Sequence, residues 1–173
     1  MLKRFIPFAH AKSIYEIDIS FFQKLNIKYV LSDLDNTLDS YKQKVPLAKA
    51  KELKENLKKN GIEMIIVSNN HGERVKKYSE ELGVRCFHSL AKPFAIRLKK
   101  ILKKLSINKD EVILIGDQIV TDISCANGAK IKSVLTEKLV KEDQPTTRIN
   151  RLLDNPLRKR LNKKNLLKDW RQI

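Results

Sequence analysis

The chain has 173 residues, the size of one domain, and its 42% hydrophobic content against 32% charged excludes a disordered or fibrous chain. A domain of this length buries roughly 70% of the surface its unfolded chain exposes, so neither disulfides nor a structural metal are needed to hold it together. Its 36 Lys and Arg against 20 Asp and Glu give a formal net charge of +16, which fits an anionic partner, either nucleic acid or an acidic membrane, and equally fits a solvated lysine-rich surface.

The first apolar stretch, Tyr29-Val30-Leu31-Ser32, predicts a strand. Pro46 to Asn60 follows as a helix with Leu47, Ala50, Leu53 and Leu57 on one face and a stop at Gly61. Met64 to Val67 predicts the second strand, and His71 to Leu82 a helix ended by Gly83. A shorter strand over Val84 to Phe87 leads to a Lys-interleaved helix over Pro93 to Leu105. Val112 to Ile115, a short helix over Val120 to Asn127, and Ile131 to Leu135 complete the series. Apolar runs of this kind suit strands buried on both faces, and the β-α-β order predicts an α/β fold: a Rossmann-like parallel sheet with helices on both faces. Ligands in such folds sit at the carboxyl ends of the strands.

No linker, repeat or low-complexity segment divides residues 1–173, so the expectation is one domain, with a core over about 28–136 and a basic extension over about 145–173. No apolar run reaches the ~18 residues of a transmembrane helix. The start, MLKRFIPFAHAKSIYEID, lacks the apolar core and cleavage site of a secretory signal, which points to the cytoplasm. Cys86 and Cys125 have no paired zinc spacing and read as free thiols of a reducing compartment. His10, His71 and His88 form no ligand spacing and read as structural or surface residues.

The first strand runs into Asp33-Leu34-Asp35-Asn36-Thr37, two carboxylates that leave a buried strand pointing roughly the same way. A cap explains one Asp there; two are harder to place, because the next helix begins only near Pro46. The fourth strand ends in Gly116-Asp117 and continues to Asp122, which puts four carboxylates at one sheet edge. Such a density calls for a cation, and an all-oxygen set with open positions suits Mg²⁺ better than zinc. Ser68-Asn69-Asn70, after the second strand, offers a hydroxyl and backbone N–H groups to phosphoryl oxygens, or equally a helix cap. Lys92, at the start of the third helix, is placed to balance the carboxylates. These parts fit phosphoryl transfer: an Asp nucleophile, a second carboxyl that protonates the leaving oxygen and deprotonates water, and a metal with a cationic side chain to neutralise charge.

In these motifs the chain resembles a phosphatase of the haloacid dehalogenase (HAD) superfamily, with all four sequence motifs in order. The resemblance implies a HAD-like fold, Asp33 as nucleophile and Asp35 as general acid/base, Ser68 as the phosphate-binding hydroxyl, and Lys92 as the cation. Thr37 and Asn69, beside these in the first two motifs, complete the substrate-binding set. Asp33, Asp35 (through its backbone carbonyl), Asp117 and Asp122 would hold Mg²⁺, Asp122 directly or through water. The gaps from Thr37 to Pro46 and from Asn70 to Lys92 are too short for a cap domain, so the chain is similar to the capless members. Pro7, Asp-Asn-Thr-Leu, Gly-Asp-Gln with Thr121-Asp122, and Thr146-Thr147-Arg148-Ile149-Asn150-Arg151 resemble subclass IIIA, a bacterial branch related to mitochondrial phosphatidylglycerophosphate phosphatase.

That branch implies a membrane phospholipid as the phosphorylated substrate and peripheral contact with the anionic inner membrane face. Residues 151–173 hold eight Lys or Arg against Asp154 and Asp169, interleaved with Leu157, Leu161, Leu166, Leu167 and Trp170. This pattern reads as a membrane-surface helix, or as a helix packed on the sheet with a solvated basic face. The N-terminal Met1 to Phe8 is similarly mixed and is expected beside it. Two alternatives remain at this level: a phosphatase acting on a nucleic-acid or nucleotide phosphate, and a non-catalytic basic RNA-binding module.

Overall fold

The structure, a computed structural model, describes residues 2–140 and 145–173, the side chains of 145–149 excepted. Six strands form one parallel sheet: β1 (Ala9–Ala11), β2 (Tyr29–Ser32), β3 (Glu63–Val67), β4 (Arg85–Phe87), β5 (Val112–Gly116) and β6 (Lys132–Thr136). Their spatial order is β1-β6-β5-β2-β3-β4. Helices are α1 (Ile19–Lys24), α2 (Ala48–Lys59), α3 (Glu73–Leu82), α4 (Ile96–Lys104), α5 (Ser124–Ala129) and α6 (Pro145–Lys163). Among the described residues no helix is long and apolar enough to cross a membrane.

The alternation of strand side chains makes two cores. Val30, Met64, Ile66, Ile113 and Ile115 face α1, α2 and α3, where Phe22, Leu57, Tyr78 and Leu82 close the layer. Leu31, Ile65, Val67, Val112 and Leu114 face the other way, against Leu98 and Leu102 of α4 and Cys125 and Ala129 of α5. The five strands expected from the apolar runs are all present within a residue or two. The α/β parallel sheet with helices on both faces is the observed fold, and the connections after β2 and β3 carry no cap. Gly83 stops α3 in the left-handed region, at φ 71°, where a side chain would be strained.

Two features depart from the sequence reading, and a third decides between readings it left open. A sixth strand, β1, pairs with β6 at the sheet edge; three residues with His10 in the middle give too short an apolar signal to be found. The short helix expected over Val120 to Asn127 is a wider turn over Ile119–Ile123 followed by α5. Of the two readings of the basic tail, the structure shows the helix packed on the fold, with Trp170 beyond its end. The helix ends at Lys163, and Trp170 lies edge-on against Phe21 with ring centroids 5.9 Å apart, as part of the core. Leu161 is buried with Ile119, Ile123 and Leu135, and Leu2, Phe5 and Ile6 pack on the same cluster, so the N-terminal segment does sit beside the tail. The Thr146 to Ile149 side chains singled out in the sequence lie outside the described residues.

Candidate active site

Strand register brings the first and fourth motifs together. Ser32 pairs with Ile115, and the Asp33 N–H donates to the Ile115 carbonyl at 2.9 Å, so Asp33 and Asp117 leave adjacent strands side by side. From β2 the chain builds β3 and β4 to one side and β5 and β6 to the other, which makes the β2/β5 junction the switch point where open parallel sheets bind ligands. Asp122 enters from the Ile119–Ile123 turn, where its N–H donates to the Gln118 carbonyl at 3.0 Å and its Oδ2 accepts from the Gln118 N–H at 3.1 Å. Gly116 makes room for it: a Cβ there would lie 2.6 Å from the Asp122 Cβ. The glycine is needed for space, rather than only for the tight strand exit its sequence position suggests.

Oxygens of Asp33, Asp117 and Asp122 lie within 4.8 Å of one another, all three residues buried. The Lys92 ammonium crosses the group, 2.7 Å from Asp33 Oδ1, 2.6 Å from Asp122 Oδ1 and 3.1 Å from the Val67 carbonyl. The Asn69 side chain holds the Lys92 backbone at both polar atoms: Oδ1 accepts from the Lys92 N–H at 2.7 Å and Nδ2 donates to its carbonyl at 2.9 Å. Asn69 therefore positions the lysine from the cavity wall. Ser68 lines the same cavity and accepts from the Asn70 N–H at 3.1 Å.

The electrostatics show a shortage of positive charge. Burial pushes the Asp33 carboxyl up to about 7; Lys92 pulls against this, while Asp122 and Asp117 add to it. Burial likewise raises Asp117 to about 6 against the pull of Arg151. Burial alone would lower Lys92, but Asp122 and Asp33 outweigh it and hold the ammonium charged beyond the usual lysine range. Three buried carboxylates thus face two cations, Lys92 on Asp33 and Asp122 and Arg151 on Asp117. Asp117 Oδ1 is buried with no hydrogen-bond donor among the described residues. An all-oxygen set with an unsatisfied carboxylate oxygen fits a divalent cation, and Mg²⁺ suits such donors.

The remaining expected residues divide. The Asp35 carboxylate points away from the acidic trio and accepts from Asn70 Nδ2 and the Arg74 guanidinium. Thr37 is buried, 1% exposed, and does not line the cavity. A cavity of about 290 Å³ opens above the trio, bounded by Asp33, Asp35 and Lys92 on one side and by Gln118, Thr121 and Asn150 on the other. His71, read from sequence as structural or surface, also lines it, with Nδ1 2.6 Å from the Ser89 hydroxyl.

Sequence reasoning missed the arginines. Arg151 of α6 binds the Asp117 carboxylate, and Arg158 donates to the Asp117 carbonyl at 2.9 Å. Asp154, buried on the same helix, accepts from the N–H groups of Ile119 and Val120, each at 2.8 Å, and so pins the turn that carries Asp122. Arg74 and Arg158 belong to no local motif, Arg151 ends the Thr146 to Arg151 segment without a role assigned to it there, and only the fold brings the three to the site.

A family model described as haloacid dehalogenase-like hydrolase matches residues 1–136. Over 165 residues the chain is 31% identical to the probable phosphatase YqeG of Bacillus subtilis (strain 168), covering 95% of this chain and 96% of that one. It is 27% identical over 174 residues to phosphatidylglycerophosphate phosphatase 1, chloroplastic/mitochondrial, of Arabidopsis thaliana, covering 93% of this chain and 49% of the plant protein. The fold is similar to the crystal structure of 3-deoxy-D-manno-octulosonate 8-phosphate phosphatase from Yersinia pestis, with a TM-score of 0.53 at 15% identity over 74% of this chain and 83% of that one.

Proposed function

The chain belongs to the haloacid dehalogenase-like hydrolase family and is a phosphatase, and from that premise we propose that it is a Mg²⁺-dependent phosphomonoesterase of the capless subclass IIIA, working through an Asp33 phospho-enzyme on a phosphatidylglycerophosphate-type lipid. A phosphatase assignment sets aside the non-catalytic RNA-binding alternative. The observation that carries the mechanism is the buried trio Asp33, Asp117 and Asp122, in which Lys92 bridges Asp33 and Asp122, Arg151 holds Asp117, and three carboxylates still outnumber two cations.

In this reading Asp33 attacks the phosphorus in line and accepts the phosphoryl group. Lys92 offsets the negative charge gathered at Asp33 and Asp122, and the Ser68 hydroxyl contacts phosphoryl oxygens. Asp35 protonates the leaving oxygen and then takes a proton from the attacking water. Its carboxylate pairs with Arg74, which the ester has to displace before Asp35 reaches the leaving oxygen. Asp33, Asp117, Asp122 and the Asp35 carbonyl would hold Mg²⁺, which when bound neutralises charge on the transferring group.

The lipid substrate is supported by the likeness to the plant phosphatase and by the uncapped cavity, which leaves a substrate presented at a surface free to enter. The test is hydrolysis of phosphatidylglycerophosphate in detergent micelles, compared with an aryl phosphate, with and without Mg²⁺. Metal-dependent turnover of the lipid well above the aryl ester supports the reading; equal or lower turnover refutes the lipid assignment.

A further inference from the structure

Isolated exposed apolar side chains are ordinary on a protein surface, and a concentration of them is not. Among the described residues eight large hydrophobics are exposed, and seven of them lie on the edge where the active site opens. Val45 and Leu47 sit between β2 and α2, Phe94 and Ile96 between β4 and the first residue of α4, and Leu139 just past β6. Leu152 and Leu153 lie on α6 between Arg151, which holds Asp117, and Asp154, which pins the Asp122 turn. Only Phe8, ahead of β1, is elsewhere.

These positions are tied to the catalytic loops. Leu47 and Leu139 line one groove of about 430 Å³ with Leu38, Val140 and Lys49. The Leu139 N–H donates to the Asn36 carbonyl at 3.1 Å, inside the loop that carries Asp33 and Asp35. Phe94 follows Lys92 by two residues and is 64% exposed. Exposed Lys44, Lys49 and Arg97 stand among the same residues; the exposed acids at this edge include Glu16 in the same groove, Glu73 at the start of α3, and Glu137, which pairs with Arg158. Apolar side chains interleaved with cations match the interface of an anionic bilayer, where the former enter the headgroup boundary and the latter meet lipid phosphates. A nucleic-acid surface would use the cations and leave the leucines and Phe94 without a role.

We propose that this edge is a membrane-docking face, and that the protein seats the rim carrying Leu47, Phe94, Ile96, Leu139, Leu152 and Leu153 on an anionic phospholipid surface with the active site facing the bilayer. The proposal rests on the lipid-substrate reading for its purpose and on the placement of these side chains for its content.

The experiment is flotation of the full-length protein with vesicles of phosphatidylcholine alone and of phosphatidylcholine with phosphatidylglycerol. Neither vesicle contains a phosphomonoester, so binding is read independently of turnover. Two variants, Phe94→Ser with Ile96→Ser and Leu152→Ser with Leu153→Ser, change exposed side chains outside the catalytic machinery. Their melting temperatures and aryl-phosphate turnover should match the parent. The proposal expects binding to the phosphatidylglycerol vesicles, with a partition coefficient that falls about tenfold or more in each variant. It is overturned by unchanged binding in the variants, by no binding of the parent, or by a parent dimer in light scattering that the substitutions dissolve. Failure of the lipid substrate in micelles together with rim-dependent flotation would refute the substrate reading and leave the docking face standing.

Discussion

The Arg151 guanidinium, carried by a helix that starts beyond the last strand, binds the buried Asp117 carboxylate at the end of β5. Its other end group donates to the Asp117 carbonyl at 3.2 Å, so the residue is gripped at side chain and backbone. Partners of this kind orient a metal-binding carboxylate and tune its affinity. Arg151→Met should weaken Mg²⁺ activation by about 10- to 100-fold, with Arg151→Lys intermediate. Mg²⁺ titration of aryl-phosphate turnover measures this, and calorimetry of Mg²⁺ binding separates lost affinity from lost turnover.

Gly116→Ala should be severe for a residue with no functional group. The added Cβ collides with the Asp122 side chain at 2.6 Å and displaces it from Lys92. Turnover should fall by about tenfold or more while the sheet stays folded, since each 1.36 kcal/mol of lost transition-state stabilisation is a factor of ten. Wild-type turnover in this variant would show that Asp122 need not sit where the structure places it.

The buried carboxyls set a pH dependence of stability. Asp33 and Asp117 rise from 3.8 to about 7 and about 6, so the metal-free folded state binds more protons than the unfolded chain across this window. Stability from these two groups is therefore full below about pH 4 and is lost as pH rises toward about 7. In metal-free buffer the melting temperature of the parent should drop relative to Asp33→Asn across that range. Mg²⁺, which competes with the protons, should stabilise the parent more near pH 8 than near pH 5. Parallel melting curves for parent and variant would contradict the assignment.

Leu161 tests whether the basic tail belongs to the core. It is buried against Ile119, Ile123 and Leu135, beneath the turn that carries Asp122. Leu161→Ala should cost about 2–5 kcal/mol of stability in denaturant unfolding. A surface-lying helix would lose almost nothing.

The central strands were legible because their apolar runs are continuous, and the acidic trio with Lys92 because Asp33 and Asp117 directly follow strand ends and Asp122 and Lys92 lie within six residues of one, where parallel sheets place chemistry. What sequence did not reveal depends on contacts remote along the chain. Trp170 reads as an amphipathic anchor until Phe21 is found against its ring. Arg74, Arg151 and Arg158 are three among nine arginines until the fold aims them at Asp35 and Asp117. Thr37 looks equivalent to Asp33 and Asp35 in the motif, yet it is buried and does not line the cavity.

The most direct test is hydrolysis of an aryl phosphate by metal-stripped protein, before and after addition of Mg²⁺, for the parent and Asp33→Asn. Turnover should appear with the metal and fall by at least about 10³-fold in the variant, with the fold retained by circular dichroism. A folded Asp33→Asn protein that keeps the parent's metal-dependent rate would contradict Asp33 as the nucleophile.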